Sequence, residues 1–130
     1  MENNFNFEIV SPEKIIFSDK PNMVTIPSYE GDMSVLKNHI PIIAFLRPGI
    51  INVKKNNEDE ISFFVEDGIM EFSNDNLSIL STKVINTKDL SKENLENYKK
   101  DGLSKLALSN LNDEERYILN HKINTIENIS

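Results

Sequence analysis

The chain has 130 residues, a formal net charge of −7 and no cysteine. The length suits one ordinary domain, and the lack of cysteine excludes disulfides, thiolate nucleophiles and cysteine metal sites. The acidic charge opposes nucleic-acid binding, and no apolar run reaches the ~18 residues of a membrane span. Because the first residues also lack a signal-peptide pattern, we expect a cytoplasmic protein.

The first two thirds of the chain predict strands. Residues 5–10 (FNFEIV) alternate apolar and polar side chains at the two-residue period of a half-buried strand. The predicted strands are 5–10, 14–18, 23–26, 33–36, 42–46, 50–54, 61–66, 69–72 and 77–81. Many short strands at nearly regular spacing are typical of a sandwich or barrel.

Turn signals separate these strands, and Asn74-Asp75-Asn76 marks the turn between the last two. Pro48-Gly49 suits a type II turn, in which the glycine has a positive φ. Asp67-Gly68 predicts a two-residue hairpin between apolar strands.

The last third of the chain predicts two helices. Gly102 interrupts the first helix and is expected to weaken or kink it. The second helix starts near Asn112, which forms a plausible capping box with Glu115. Its apolar face is Leu119, Ile123 and Ile126, with Ile118 beside it. This stripe is too narrow for a core of its own, so the helices must pack on the sheet, on each other or on a partner.

Composition shifts near residues 85–88, since all five prolines lie in the first 48 residues. We therefore expect a β-sandwich domain over residues 1–86 and a helical hairpin over residues 87–130. The short stripe and Gly102 predict that this hairpin is loosely held.

Residues 30–49 (EGDMSVLKNHIPIIAFLRPG) are the richest stretch for a functional site. Asp32 and His39, with Glu30 nearby, are potential metal ligands, but a protein metal site needs three or four converging ligands. Asp32, Ser34 and His39 would form a hydrolytic triad only with an oxyanion hole, and no nucleophile motif surrounds the serine. Neither arrangement is favoured over turn and strand-edge roles. The glycines form no phosphate-binding motif.

The same stretch favours docking to another protein. Its isoleucines and Phe45 offer more apolar surface than one strand face needs, and Glu30, Asp32 and His39 rim it. The residues alone therefore indicate a sheet domain with a helical tail in a binding or assembly subunit.

Three segments together resemble the epsilon subunit of the rotary, F-type ATP synthase, whose mitochondrial counterpart is called delta. These are FEIVSPEKIIFS, VTIPSYEGDMSVLKNHIPIIAFLRPGIINV and FFVEDGIMEFSNDNLSILS, which cover about residues 5–85 in order. The middle segment carries the most recognisable pieces: Glu-Gly-Asp, His-x-Pro and Leu-x-Pro-Gly-x-Ile. The resemblance implies a mainly β plus α fold, with a sandwich of about ten strands followed by an antiparallel helical hairpin.

The resemblance also implies a role without catalysis, cofactor or metal. Such a chain joins the gamma subunit to the c ring of a proton-translocating synthase on the cytoplasmic face of the bacterial membrane. Its tail contacts the alpha/beta head and, in some relatives, inhibits ATP hydrolysis. Glu30, Gly31, Asp32 and Met33 match the loop that faces the c ring, and His39 and Pro41 lie on the neighbouring edge.

Some features depart from the family pattern. Lys37-Asn38 stands where the family commonly has Pro-Gly, and because Asn tolerates a left-handed backbone better than most residues, we expect the turn there to be kept. Residues 90–95 (LSKENL) lack the Asp, Arg and Ala of the ATP-binding motif that some bacterial members carry, so we predict no ATP binding. Two alternatives remain for comparison: a free-standing sandwich that binds a small molecule or peptide, and a small hydrolase using Asp32, Ser34 and His39.

Overall fold

A computed structural model describes residues 3–56, 59–108 and 110–129. Ten strands precede two helices, with a short 3-10 helix at Thr87–Asp89 between them. The strands are β1 (Asn6–Val10), β2 (Ile15–Asp19), β3 (Met23–Ser28), β4 (Gly31–Leu36), β5 (Ile42–Leu46), β6 (Gly49–Lys55), β7 (Asp59–Val65), β8 (Gly68–Ser73), β9 (Asn76–Leu80) and β10 (Val84–Asn86). The helices are α1 (Lys92–Leu106) and α2 (Asp113–Ile129). Neither helix in the described ranges is long and apolar enough to cross a membrane.

The strands form one sheet that folds over itself. The strand order is β10-β7-β6-β3-β5-β8-β9-β1-β2, and β4 pairs with β3 outside this path. Phe17 on β2 and Phe63 on β7 come from nearly opposite ends of that order, yet their ring centroids are 5.0 Å apart. The sheet therefore closes into two layers around one core, which confirms the predicted sandwich.

Side-chain alternation explains how each strand contributes to that core. On β1, Phe7 and Ile9 are buried, whereas Asn6 is exposed. The buried core contains residues from eight strands and Phe5, which precedes β1: Phe5, Phe7, Ile9, Val24, Ile26, Val35, Leu46, Ile51, Val53, Phe63, Val65, Met70, Phe72, Leu77 and Ile79.

Asparagine and aspartate form several of the tight turns. Asn74 (φ 51°) and Asp75 (φ 57°) join β8 to β9 with the two left-handed residues of a type I′ hairpin. The Asp75 carboxylate also accepts a hydrogen bond from the Asn38 amide at 2.7 Å. Asn38 itself has φ 68°, as the sequence predicted.

Two turn predictions are wrong. Asp67 and Gly68 do not close a hairpin, because β7 pairs with β6 and β10 whereas β8 pairs with β5 and β9. The chain changes partners there and continues to a different part of the sheet. Gly49 lacks the positive φ that a type II turn requires, which among the described glycines occurs at Gly31 and Gly68. Instead, a Cβ on Gly49 would lie 2.5 Å from the Pro27 Cβ, so close packing requires the glycine.

α2 begins at the predicted cap. The Asn112 side-chain oxygen accepts from the Glu115 amide (2.7 Å), and the Glu115 carboxylate accepts from the Asn112 amide (3.2 Å), which completes the capping box. α1 continues through Gly102. A Cβ there would lie 3.1 Å from Ile123 Cγ1, so the glycine lets α1 and α2 approach closely.

The hairpin packs on the outer face of the sheet as well as on itself. Phe64 on β7, Leu95 on α1 and Ile126 on α2 form a second buried apolar cluster. Ile123 and Ile126 are buried as predicted, whereas Leu119 is only half-buried. Lys122 and Thr125 are also buried on α2, so its packed face includes polar side chains that the apolar pattern did not identify.

Candidate partner-binding surface

Four of the predicted site residues lie at or beside the tip of the β3–β4 hairpin. Glu30 is exposed in the turn, and Gly31 starts β4 with φ +125°, a conformation that favours glycine. Asp32 is exposed and pairs with Arg47 at 3.1 Å. Met33 is half-buried and packs against the core. The tip therefore exposes the Glu30 and Asp32 carboxylates, and the packing of Met33 against the core holds its backbone in place.

The other two predicted residues lie beyond the opposite end of β4. Six residues of strand separate the tip from the turn that carries His39 and Pro41, which is roughly 16 Å. The His39 and Phe72 rings pack edge to face with their centroids 5.9 Å apart, and His39 Nδ1 lies 2.7 Å from the Ile40 carbonyl oxygen. The six residues thus form two separate surfaces.

The side chains considered for metal binding or hydrolysis do not converge. Ser34 Oγ lies 3.0 Å from Thr25 Oγ1, Asp32 pairs with Arg47, and His39 contacts Phe72. Within the described ranges, no group of three or more His, Asp or Glu residues could hold a metal ion. The arrangement that a serine hydrolase would need is therefore not assembled from these residues.

A row of apolar side chains crosses the solvent-facing surface of the layer formed by β5, β8, β9, β1 and β2, and we call it the outer row. Each member is the direct cross-strand neighbour of the next, on five adjacent strands: Phe45, Ile69, Leu80, Val10 and Ile15. Phe45 is 64% exposed, Leu80 44% and Ile15 60%, and the other two are half-buried. A contiguous exposed apolar band of this kind marks an interaction surface.

Carboxylates flank the outer row along the next line of residues. There Ile43 lies beside Glu71, then Ser78, then Glu8, on successive strands. Ile43 is exposed and widens the apolar band towards His39 and Pro41. The surface thus combines an apolar centre with acidic neighbours, which suits a partner that has apolar and basic side chains.

The sequence could not identify this face. Alternation separates Ile43 and Phe45 from Ile42 and Ala44, but it does not show which set faces the core. The available signal was the excess of apolar residues in the segment after His39. The pairing of β5 with β8, and of β9 with β1, joins segments that are distant in sequence and determined which other residues lie beside Phe45.

The helical tail contacts the tip of the β3–β4 hairpin. The rings of Tyr29 and Tyr117 stack with centroids 5.8 Å apart, and the Tyr117 hydroxyl donates to the Tyr29 carbonyl oxygen at 3.3 Å. Burial, followed by the nearby Glu114 carboxylate, raises the pKa of Tyr29. Desolvation followed by the Arg47 charge lowers the pKa of His121 on the same helix, although Asp32 opposes this shift.

Known proteins resemble this chain in sequence and in fold. The family described as "ATP synthase, Delta/Epsilon chain, beta-sandwich domain" matches residues 4–87. The ATP synthase epsilon chain of Pelagibacter ubique is 38% identical over 132 aligned positions, covering 100% of both chains. The epsilon chain of Parvibaculum lavamentivorans is 40% identical over 81 residues, which are 62% of this chain and 61% of the relative.

Two solved structures share the fold at low sequence identity. A chain of the Euglena gracilis mitochondrial ATP synthase aligns with a TM-score of 0.78 and 17% identity, covering 96% of this chain and 80% of that one. A chain of the Tetrahymena thermophila central stalk/c-ring structure aligns with a TM-score of 0.66 and 12% identity, covering 95% and 93%. The sandwich match and the full-length relative together show that this chain belongs to the delta/epsilon family of ATP synthase subunits.

Proposed function

We propose that this chain is a non-catalytic central-stalk subunit of an F-type ATP synthase, which links the gamma subunit to the c ring and transmits rotation. The observation that carries this role is the outer row. Its exposed Phe45, Leu80 and Ile15 would be unfavourable on a protein that worked alone. A relative named as an epsilon chain aligns over the full length, so the family match extends beyond the sandwich.

The outer row is the proposed contact for gamma. Burying its large side chains would contribute most of the binding free energy, since aromatic and aliphatic anchors dominate protein interfaces. Glu8 and Glu71 would orient gamma by pairing with basic groups at its rim. His39 and Pro41 belong to this surface, because Ile40 and Ile43 extend the apolar area to their end of β4.

The β3–β4 tip is the proposed contact for the c ring. Glu30 and Asp32 are exposed there on a short turn, and Gly31 allows the backbone to make that turn. The carboxylates would pair with basic groups on the polar loops of the ring. Met33 anchors the tip to the core, so torque applied to the turn would pass into the sandwich.

The chain would be held at the membrane only through the complex, on the cytoplasmic face of the bacterial inner membrane. Residues 87–130 would form a separate regulatory unit that contacts the alpha/beta head, whereas residues 1–86 would carry the assembly contacts. No cofactor, metal or nucleic acid is required for this role. A free-standing ligand-binding module is less consistent with a full-length epsilon-chain relative.

Size-exclusion chromatography with purified gamma tests the proposal. The parent chain should co-elute with gamma in a one-to-one complex. Phe45→Glu should weaken binding by about 100-fold or more, because a charge would replace a central apolar anchor. The matched variant Leu103→Glu places the same charge on an exposed leucine of α1 and should bind normally.

Deletion of residues 88–130 tests the division of labour. The truncated chain should still co-elute with gamma if the sandwich carries the assembly contacts. Separate elution of the folded parent chain and gamma would overturn the proposed role. Equal binding by the parent and the Phe45→Glu variant would instead reject the outer row as the contact.

A further inference from the structure

Lys122 on α2 is the only buried charged residue in the described part of the chain. Its side chain is 8% exposed, and its Nζ lies 2.7 Å from Glu66 Oε1. A buried ammonium is unfavourable unless it is paired and hydrogen-bonded. Glu66 is itself only 18% exposed, so this ion pair is screened far less than a surface pair.

The Lys122 ammonium connects three parts of the molecule. Glu66 directly follows β7 and therefore belongs to the sandwich. Asp101 Oδ2 on α1 lies 3.5 Å from the same Nζ, which also lies 5.6 Å from the centroid of the Tyr98 ring. One side chain of α2 thus contacts both α1 and the sheet domain.

The other charged contacts of the hairpin are different in kind. Lys99 pairs with Glu127 at 3.6 Å, and Lys105 pairs with Asp101 at 3.2 Å. These four side chains are all roughly half exposed, and both pairs lie within the hairpin. Exposed pairs contribute little stability, and neither of these connects the hairpin to the sheet.

Two further polar contacts between the helical hairpin and the sheet, both among the described residues, are longer. Tyr117 donates to Tyr29 at 3.3 Å, and Thr125 Oγ1 lies 3.5 Å from the Pro48 carbonyl oxygen. The Lys122–Glu66 pair is therefore shorter than these two contacts, and both of its side chains are mostly buried. Like the apolar cluster of Phe64, it joins the helices to β7 or its end.

We propose that Lys122 is a latch residue whose ion pair with Glu66 sets the equilibrium between docked and released hairpin. Loss of this pair would release α1 and α2 from the sheet while the sandwich stays folded. The inference rests on the proposed function only for its consequence, namely that the latch determines how readily the tail can reach the alpha/beta head. The docking equilibrium itself is a property of the isolated chain.

Because the chain has no cysteine, a single introduced thiol can report on release. Ile126→Cys places a thiol on α2 at a position that is 1% exposed, so Ellman's reagent reaches it only when the hairpin opens. In this background, Lys122→Met keeps an unbranched side chain beside Tyr98 but removes the charge. The labelling rate should rise about tenfold or more, since breaking one partner of a buried pair is strongly destabilising.

Two controls separate the latch from general destabilisation. Lys99→Met removes an exposed ion pair of the same hairpin and should change the labelling rate by less than about twofold. A second reporter, Ile79→Cys in the sandwich core, should label at the same rate with and without Lys122→Met. Faster labelling at both positions would mean that the whole protein unfolds, and it would overturn the proposal.

Glu66→Gln tests the partner directly. It should also accelerate labelling of the thiol at position 126, and adding it to Lys122→Met should cause little further change, because both substitutions remove one interaction. Additive effects, or equal effects of Lys122→Met and Lys99→Met, would overturn the latch. These outcomes are independent of gamma, so failure of the gamma-binding experiment would leave them unaffected.

Discussion

Gly49→Ala is a direct test of how closely the centre of the sheet is packed. The new Cβ would lie 2.5 Å from Pro27 Cβ, 2.9 Å from Pro27 Cγ and 3.2 Å from Arg47 Nη1. A proline ring cannot rotate away, and β3 and β6 are both held by neighbouring strands. Because Gly49 lacks a positive φ, alanine would suffer no backbone strain, and its cost would come from this overlap.

We expect the overlap to lower the free energy of unfolding by about 3 kcal/mol, the upper part of the usual range for overpacking. For a chain of this size the melting temperature falls roughly 3 to 5 °C per kcal/mol, so the expected drop is about 10 °C. Thermal unfolding followed by circular dichroism measures it.

Gly102→Ala is the matched control. Its Cβ would meet Ile123 Cγ1 at 3.1 Å, the branch of a side chain that can shift, and alanine favours a helix by about 1 kcal/mol. The net change should stay within about 4 °C of the parent. A Gly49→Ala protein that melts within about 2 °C of the parent would refute the packing argument.

Three further predictions concern the helical tail and one turn. Phe64→Ala should lower the urea-derived free energy of unfolding by about 3–5 kcal/mol, whereas Phe45→Ala, which alters an exposed ring, should change it by about 0.5 kcal/mol or less. The pKa of His121 is lowered in the folded state, so the unfolded state binds the proton more readily. The contribution of this group to the free energy of unfolding is therefore complete above pH 6.5, and it is lost as the pH falls towards the folded-state pKa. Urea titrations at several pH values should therefore show a weaker loss below pH 6.5 for His121→Gln than for the parent. Asn38→Val should cost about 1–2 kcal/mol because its φ is 68°, whereas Asn38→Gly should not, and the two melting curves would show the difference.

Much of the sandwich was predictable because its information is local. Alternating side chains in β1 and the Asn74 turn specify structure within a few residues, and the structure agrees with both. Asp67-Gly68 failed because the same dipeptide serves a tight hairpin and a change of strand partner equally well. Only the pairing of distant strands distinguishes them, and local sequence does not contain it.

The candidate site was predicted in part for a similar reason. The resemblance assigned Glu30 and His39 to neighbouring edges, but β4 separates them. Lys122 escaped notice because a lysine in a helix is normally exposed, and its burial depends on Glu66, which lies more than fifty positions away. Gly102 was interpreted through helix propensity, whereas the contact with Ile123 gives it a packing role.

The pairing of the first strand with the ninth has a consequence for synthesis of the chain. β1 lies parallel to β9, and Asn6 donates a side-chain hydrogen bond to Asn76, 70 positions later. At about 5–20 residues per second, a ribosome needs roughly 4 to 14 seconds to make that intervening segment. During this interval β1 lacks its β9 neighbour, so one edge of the strand stays unpaired and the core around Phe7 and Ile9 stays incomplete. The nascent chain is therefore most exposed to misassociation before β9 emerges, and the interval is set by translation speed.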